Sequence, residues 1–333
     1  MRVHAIRIHE TGGPEVLRWE EVELAPPGPG EVLLRQTAVG LNFIDTYHRT
    51  GLYPLELPTV LGREAAGVVE EVGDGVREFK PGDRAAYALV AGSYAEARVV
   101  AADRLVPLPD GIDERCAAAV MLKGLTAHYL LRRTYRVQPG DTILLHAAAG
   151  GVGLIACQWA KHLGATVIGT VGTEEKAELA REHGCDHTVL YDREDFVERV
   201  RELTGGRGVP VVYDSVGQAT FARSLDCLAP LGLMVSFGQS SGAVPPQNLG
   251  VLAQKGSLFV TRPKLATYIA DRRDLLAAAA GLFEAIDAGG IRVEVRQTYR
   301  LEDAAQAHRD LEARKTSGST LLLPAVATTG SPS

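Results

Sequence analysis

Two different spacings of apolar positions divide this chain. Up to about residue 112 the apolar runs are short: Val3–Ile8, Val32–Val39, Gly67–Val72 and Ala95–Val100. Turn-forming clusters separate them, at Gly12-Gly13-Pro14, Pro26 to Gly30, Gly73-Asp74-Gly75 and Pro81-Gly82-Asp83. Short strands with frequent turns predict a β-rich domain, barrel-like or sandwich-like. From Asp113 to Tyr135 the spacing is helical. Strands and helices then alternate: strand Thr142–His146, helix Val152–Leu163 closed by Gly164, strand Thr166–Val171, helix Glu174–His183 closed by Gly184. Further strands fall at His187–Leu190, Val209–Ser215 and Leu233–Phe237, with helices near Glu194–Thr204 and Thr220–Leu228. Alternation at this period means βαβ units on a parallel sheet. After about Arg262 it stops, leaving helix Arg272–Ala288, strand Ile291–Tyr299, helix Leu301–Lys315 and strand Ser319–Leu323.

The predicted fold is therefore α/β, a Rossmann-type doubly wound sheet inserted into a β-rich domain built from both ends of the chain. The expected divisions are 1–123 plus 263–324 for the outer domain, 124–262 for the inserted one and 325–333 for a small, polar, disordered tail.

Composition narrows the function. With 333 residues, 46% hydrophobic and 23% charged, the chain is neither disordered nor collagen-like, and it exceeds what one core usually supports. A net charge of −6 gives no general electrostatic reason to bind nucleic acid or an anionic membrane. Cys116, Cys157, Cys185 and Cys227 are too far apart for a metal knuckle or a dithiol motif and suit a reducing compartment. The first residues, MRVHAIRIHETGG, carry no apolar signal region. The uncharged stretch Thr142–Ala160 breaks on Gly150, Gly151 and Gly153, so it reads as strand, turn and helix rather than a membrane span. A cytoplasmic location is expected.

That stretch holds the strongest chemical signal. Small residues in Ala148-x-Gly150-x-x-Gly153 let the backbone approach a pyrophosphate, and the helix N-terminus meets its negative charge. The second strand ends in Gly172-Thr173 without the acid that usually grips a ribose 2′-hydroxyl. Lys176 is near enough to meet a 2′-phosphate and Tyr191 ends the third strand, which favours NADPH over NADH. Glu174 reads as an ordinary first-turn acid after a Thr173 N-cap.

The run from His146 through Gly153-Leu154, with Gly40-Leu-Asn-Phe-Ile-Asp-Thr-Tyr47 upstream, resembles the zinc-independent quinone oxidoreductases of the medium-chain dehydrogenase/reductase superfamily, which include the zeta-crystallins. Arg49-Thr-Gly-Leu-Tyr53-Pro, Leu61-Gly-Arg-Glu-Ala-Ala-Gly67, Lys80-Pro-Gly-Asp-Arg84 and Tyr213-Asp-Ser-Val-Gly217 extend the likeness nearly to Pro324. The resemblance implies a GroES-like catalytic domain, a Rossmann domain, a cleft between them, NADPH as hydride donor, a quinone substrate and a homodimer. Carried over by motif, it implies that Asn42, Asp45, Tyr47 and Lys123-Gly124 meet the nicotinamide end. Gly150, Gly151 and Val152 would meet the phosphates, and Gly172, Thr173, Lys176, Tyr191 and Arg314 the adenosine end. Ser215-Val216 and Phe237-Gly238-Gln239-Ser240 would line the ribose and nicotinamide side.

Zinc enzymes of that superfamily have an early Cys and a Gly-His-Glu. Here those positions read Asn42 and Gly62-Arg63-Glu64, so no metal is expected. His146 reads as a satisfied core histidine and His48 as a rim residue. A quinone is already electrophilic and needs an apolar slot with a donor or two for the developing oxyanion. Tyr47 and Tyr53 are expected to shape that slot, and the Asn42 amide to orient the nicotinamide ring. Two alternatives remain. One is a related enzyme reducing the C=C bond of enones, alkenals or enoyl thioesters. The other is a non-catalytic NADPH-binding sensor or structural protein. If a dimer forms by sheet extension, Val244–Val260 is the expected edge.

Overall fold

The structure is a computed structural model, and residues 1–325 of it are described. Apart from Ala325, the expected tail 325–333 lies outside them. The chain divides into two compact units, Met1–Leu122 with the C-terminal segment from Val293, and Lys123–Arg292.

In the first unit, strand Glu31–Leu41 lies at the centre of a seven-stranded sheet. It pairs antiparallel with Glu64–Val72, Ala97–Ala101 and the C-terminal strand Ser319–Leu323. The last of these also pairs, in parallel, with Val295–Arg300. A smaller sheet joins Arg2–Ile8 to Arg18–Glu23 and Thr59–Val60. Ile6, Ile8, Leu34, Leu61, Tyr87, Leu301 and Leu322 fill one core with the unit's last helix, Ala304–Glu312, packed on it through Ala304 and Ala307. The chain's two ends thus meet in one sheet, as the strand reading required.

In the second unit six parallel strands lie in the order third, second, first, fourth, fifth, sixth. They are Thr142–His146, Thr166–Val171, His187–Leu190, Val209–Asp214, Leu228–Ser236 and Phe259–Thr261. The order reverses between the first and fourth strands, where open α/β sheets bind ligands beyond their strand C-termini. Gly164 and Gly184 take φ of +86° and +87° and close the two preceding helices, the left-handed cap expected of glycine.

Residues 263–292 correct the expected boundary. They pack with the second unit rather than the first. Helix Arg272–Asp287 buries Leu275, Ala278, Ala279, Leu282 and Phe283. Tyr268 stacks on Tyr129 with ring centroids 4.6 Å apart and shares a hydrogen bond with Thr134. Loss of strand-helix alternation marked the end of the sheet, not the end of the domain. Helix Glu114–Tyr129 also ends earlier than expected, and Leu130–Thr134 continues it as a wider π-type turn.

Candidate active site

The second unit's site begins where strand Thr142–His146 ends. Ala147 takes φ of +56°, a left-handed conformation that tolerates few side chains. The chain then turns through Gly150 into helix Gly151–His162. A Cβ on Gly153 would lie 2.3 Å from the Ala147 carbonyl oxygen and 2.5 Å from that of Ala148. Helix and loop therefore touch backbone to backbone, which is the close approach a pyrophosphate cradle needs. Gly150, Gly151 and Val152 form the helix start and stay half-buried.

The second strand leads to Thr173, whose hydroxyl caps helix Glu174–Glu182 by accepting the Lys176 amide at 3.3 Å. A Cβ on Gly172 would meet the Tyr191 hydroxyl at 2.6 Å. Gly172, Thr173, Lys176 and Tyr191 thus gather around one strand end. Beyond the fourth strand, Asp214 is fully buried and organises the turn: it accepts the amides of Val216 and Gly217 at 2.7 and 3.0 Å and the Thr220 hydroxyl at 2.7 Å. Ser215 and Phe237-Gly238-Gln239-Ser240 are tied together, since the Ser240 amide donates to the Ser215 carbonyl and the Phe237 amide to that of Asp214. Arg262 clamps this loop by donating to the carbonyls of Ser236 and Gly238 and to Gln239 Oε1. Lys123 is 5% exposed on helix Glu114–Tyr129.

His146 is a core histidine, as expected. Ser224 donates its hydroxyl proton to the Thr220 carbonyl, so it accepts from His146 Nε2; Nδ1 then accepts from Thr170. Burial lowers its pKa and keeps the ring neutral.

The first unit's site rests on a short helix, Phe43–Arg49, that the strand reading passed over. Asn42 starts it, and Asp45 accepts the Asn42 amide at 2.9 Å, half of a capping box. Asn followed three residues later by an acid was the available signal. The Asn42 amide nitrogen donates to Glu64 Oε2 at 2.7 Å and to the Gly40 carbonyl at 3.3 Å. Glu64 is fully buried, and its other oxygen accepts the Leu122 amide at 2.5 Å. Gly40 must lack a side chain, because a Cβ there would sit 2.2 Å from Glu64 Oε2 and 2.4 Å from the Ala118 carbonyl.

A buried polar chain supports the helix from below. Arg49 has only donors, so its 3.0 Å contact leaves His308 Nδ1 bare. His308 Nε2–H then donates to the Tyr94 hydroxyl at 3.0 Å, and Tyr94 donates to Asp45 at 2.9 Å. Arg49 is 1% exposed and makes a bidentate pair with Glu312 at 2.6 and 3.0 Å. Burial holds the His308 pKa at about 3 and pushes that of Tyr94 well up, with the Asp45 carboxylate adding to the latter.

Above the helix, Tyr47 and Tyr53 meet edge to face at 5.3 Å, and Tyr53 lies 5.6 Å from the His48 ring. The Tyr53 amide donates to the Tyr47 carbonyl, folding the loop back onto the helix. Asn42, Asp45, Tyr47 and Tyr53 are therefore neighbours. His48 is 7% exposed, so it is a buried part of the cluster rather than a rim residue. Arg314 belongs to this unit, exposed after helix Ala304–Glu312. Glu64, Tyr94, His308, Asp214 and Arg262 were not anticipated as site residues. Glu64 and Asp214 lie in stretches that carry the resemblance but without a role of their own there, and Tyr94, His308 and Arg262 belong to no motif and are recognisable only from what folding places beside them.

Two family models match: an alcohol dehydrogenase GroES-like domain over residues 28–110 and a zinc-binding dehydrogenase over 151–270. The residues do not fit a zinc ion. Asn42 turns an N–H donor toward Glu64 and Arg63 brings a cation, where a metal needs lone pairs. Among the described residues no group of three or more His, Cys, Asp or Glu could hold one. The chain is 58% identical over 315 residues to a quinone oxidoreductase of Pseudomonas aeruginosa, covering 94% of this chain and 97% of that one. It is 50% identical to a 2-haloacrylate reductase of a Burkholderia species, covering 97% and 99%. The crystal structure of Escherichia coli quinone oxidoreductase complexed with NADPH matches with a TM-score of 0.95 at 54% identity, covering 96% of this chain and all of that one.

Proposed function

We propose a function from one premise: the chain belongs to the zinc-independent quinone oxidoreductases of the medium-chain dehydrogenase/reductase superfamily. It is an oxidoreductase that reduces quinones with NADPH. The observation that carries this is end-to-end likeness to quinone oxidoreductases, together with a glycine loop whose backbone contacts leave no room for a larger residue at Gly153.

Bound NADPH supplies the hydride. The chain's own groups bind and orient. The helix start at Gly150-Gly151-Val152 faces the pyrophosphate, and Gly172, Thr173, Lys176 and Tyr191 take the adenosine end, with Arg314 assigned to it by family motif. Ser215, Phe237, Gly238 and Ser240 line the ribose and nicotinamide side. Asn42, Asp45 and Lys123 serve the nicotinamide, and Tyr47 and Tyr53 shape the acceptor slot and offer hydroxyl donors to the developing quinol oxygen.

The test is NADPH oxidation followed at 340 nm with 1,4-benzoquinone and 9,10-phenanthrenequinone after dialysis against a chelator. Turnover that survives the chelator and prefers NADPH to NADH is expected. No turnover with either quinone would overturn the assignment. A second reading, reduction of an activated C=C bond, draws support from the 2-haloacrylate reductase relative. Turnover of an enone without quinone turnover would select it.

The expected homodimer finds support at the sheet edge. Strand Phe259–Thr261 is outermost, and Phe259, Val260, Leu249 and Leu231 are 59%, 41%, 75% and 67% exposed. A second copy extending the sheet would cover them. Light scattering at micromolar concentration should give twice the chain mass, and Phe259→Lys should lower it. The four free cysteines, three of them buried, support the cytoplasm as location. Among the described residues no helix is long and apolar enough to cross a membrane.

A further inference from the structure

Arg63 differs from Arg49 of the same unit. Arg49 is buried, and its charge is met by the bidentate Glu312. Arg63 is half-buried, and both its hydrogen-bond acceptors are neutral: the Leu89 carbonyl at 3.3 Å and His48 Nε2 at 2.9 Å. A guanidinium has only donors, so the bond to Nε2 puts the His48 proton on Nδ1. Burial and the Arg63 charge lower the His48 pKa to about 4, so that ring cannot be a second cation near neutral pH.

Charged groups act on Arg63 in both directions: the Asp45 carboxylate, whose Oδ2 accepts the Asn42 amide and the Tyr94 hydroxyl, attracts it, and Arg98 repels it. A partly desolvated cation beside neutral partners is a place where an anion gains more than it would in water. It reaches the acceptor slot through His48, which bonds Arg63 and packs on Tyr53, as Tyr53 packs on Tyr47.

We propose that Arg63, oriented by His48, is an anion subsite of the acceptor slot, so that the enzyme favours electrophilic acceptors carrying a carboxylate or sulfonate. This rests on the assignment of Tyr47 and Tyr53 to that slot. It makes Arg63 a specificity residue, one that grips a substituent away from the reacting carbon.

The test compares 1,2-naphthoquinone-4-sulfonate with unsubstituted 1,2-naphthoquinone in the unmodified enzyme, Arg63→Met and Arg63→Lys. The kcat/KM ratio of the charged to the neutral quinone should fall about ten-fold or more in Arg63→Met and be partly restored in Arg63→Lys. A ratio unchanged within two-fold in Arg63→Met would overturn the proposal. A second measurement covers variants that fail to fold. In the unmodified enzyme, the Kd of naphthalene-2-sulfonate should rise with added NaCl while that of 2-naphthol stays level. Equal, salt-independent binding of both would also overturn it. Absence of NADPH oxidation with the neutral quinone would instead count against the quinone assignment, and naphthalene-2-sulfonate binding would still decide on Arg63.

Discussion

In the second unit, the phosphate loop is made of backbone. Gly153 is pressed on the carbonyls of Ala147 and Ala148, and Ala147 sits in the left-handed region. In the first unit, helix Phe43–Arg49 is held by side chains. Asn42 reaches Glu64, Asp45 reaches Tyr94, and His308 and Glu312 reach back to Arg49. A backbone site is contiguous in sequence and fails when one atom is added. A side-chain site gathers residues up to 263 positions apart and weakens by steps, as each bond is lost. Four measurements separate these behaviours.

The largest effect belongs to Gly153→Val. The first added carbon already meets two carbonyl oxygens well inside contact distance, and both are backbone atoms that cannot swing away. NADPH affinity should fall at least about 100-fold, read by quenching of protein fluorescence, with Tm lowered as well. Near-normal affinity would mean that the loop yields, and the contrast between the units would collapse.

Next is His308→Leu. It leaves the Arg49 N–H and the Tyr94 hydroxyl without their buried partner, at a cost of about 2–4 kcal/mol in urea unfolding. Tyr94→Phe removes one hydroxyl and should cost less, about 1–3 kcal/mol. A His308→Leu protein as stable as the parent would show that the chain of bonds is ornamental.

The pH dependence follows from the same ring. His308 titrates near 6.5 when unfolded and at about 3 when folded, because burial disfavours the charged form, with Arg49 adding to it. The unfolded chain therefore binds the proton more readily. The stability from the neutral ring is complete above pH 6.5 and is lost as pH falls toward 3, at up to about 1.4 kcal/mol per pH unit. Stability should decline less steeply over that range in His308→Gln, which keeps a neutral bridge. Parallel profiles would place the acid sensitivity elsewhere.

What could be read in the sequence divides along the same line. The glycine loop, the alternation of the first five strands and the capping glycines were legible because each is encoded within a few consecutive residues; the short sixth strand, Phe259–Thr261, was not. Asn42, Asp45, Tyr47 and Tyr53 were legible only through resemblance. Their own short helix went unread although Asn42 and Asp45 spell its start. Glu64 was visible only as part of an altered metal motif, and His308 not at all. Its partners Tyr94 and Arg49 lie 214 and 259 residues away, and no periodicity links positions so far apart. Residues 263–292 were misassigned for a related reason. A helix that packs on the side of a sheet has the same amphipathic pattern whichever domain it covers.

The smallest effect, at Lys176→Ala, tests where backbone and side chain meet in one site. The Lys176 amide is spent on the Thr173 cap, and the side chain leaves the first turn of helix Glu174–Glu182, whose cap follows Gly172. If that ammonium meets the 2′-phosphate of NADPH, its removal costs one partly exposed charge pair, about 1 kcal/mol. The kcat/KM preference for NADPH over NADH should then narrow about five-fold, with activity on NADH little changed. The loss should also shrink as salt is raised, because an exposed pair is screened. A backbone loop that reads only the pyrophosphate cannot tell the two coenzymes apart. An unchanged preference in Lys176→Ala would therefore move discrimination to another side chain, with Tyr191 and Arg314 the next to replace.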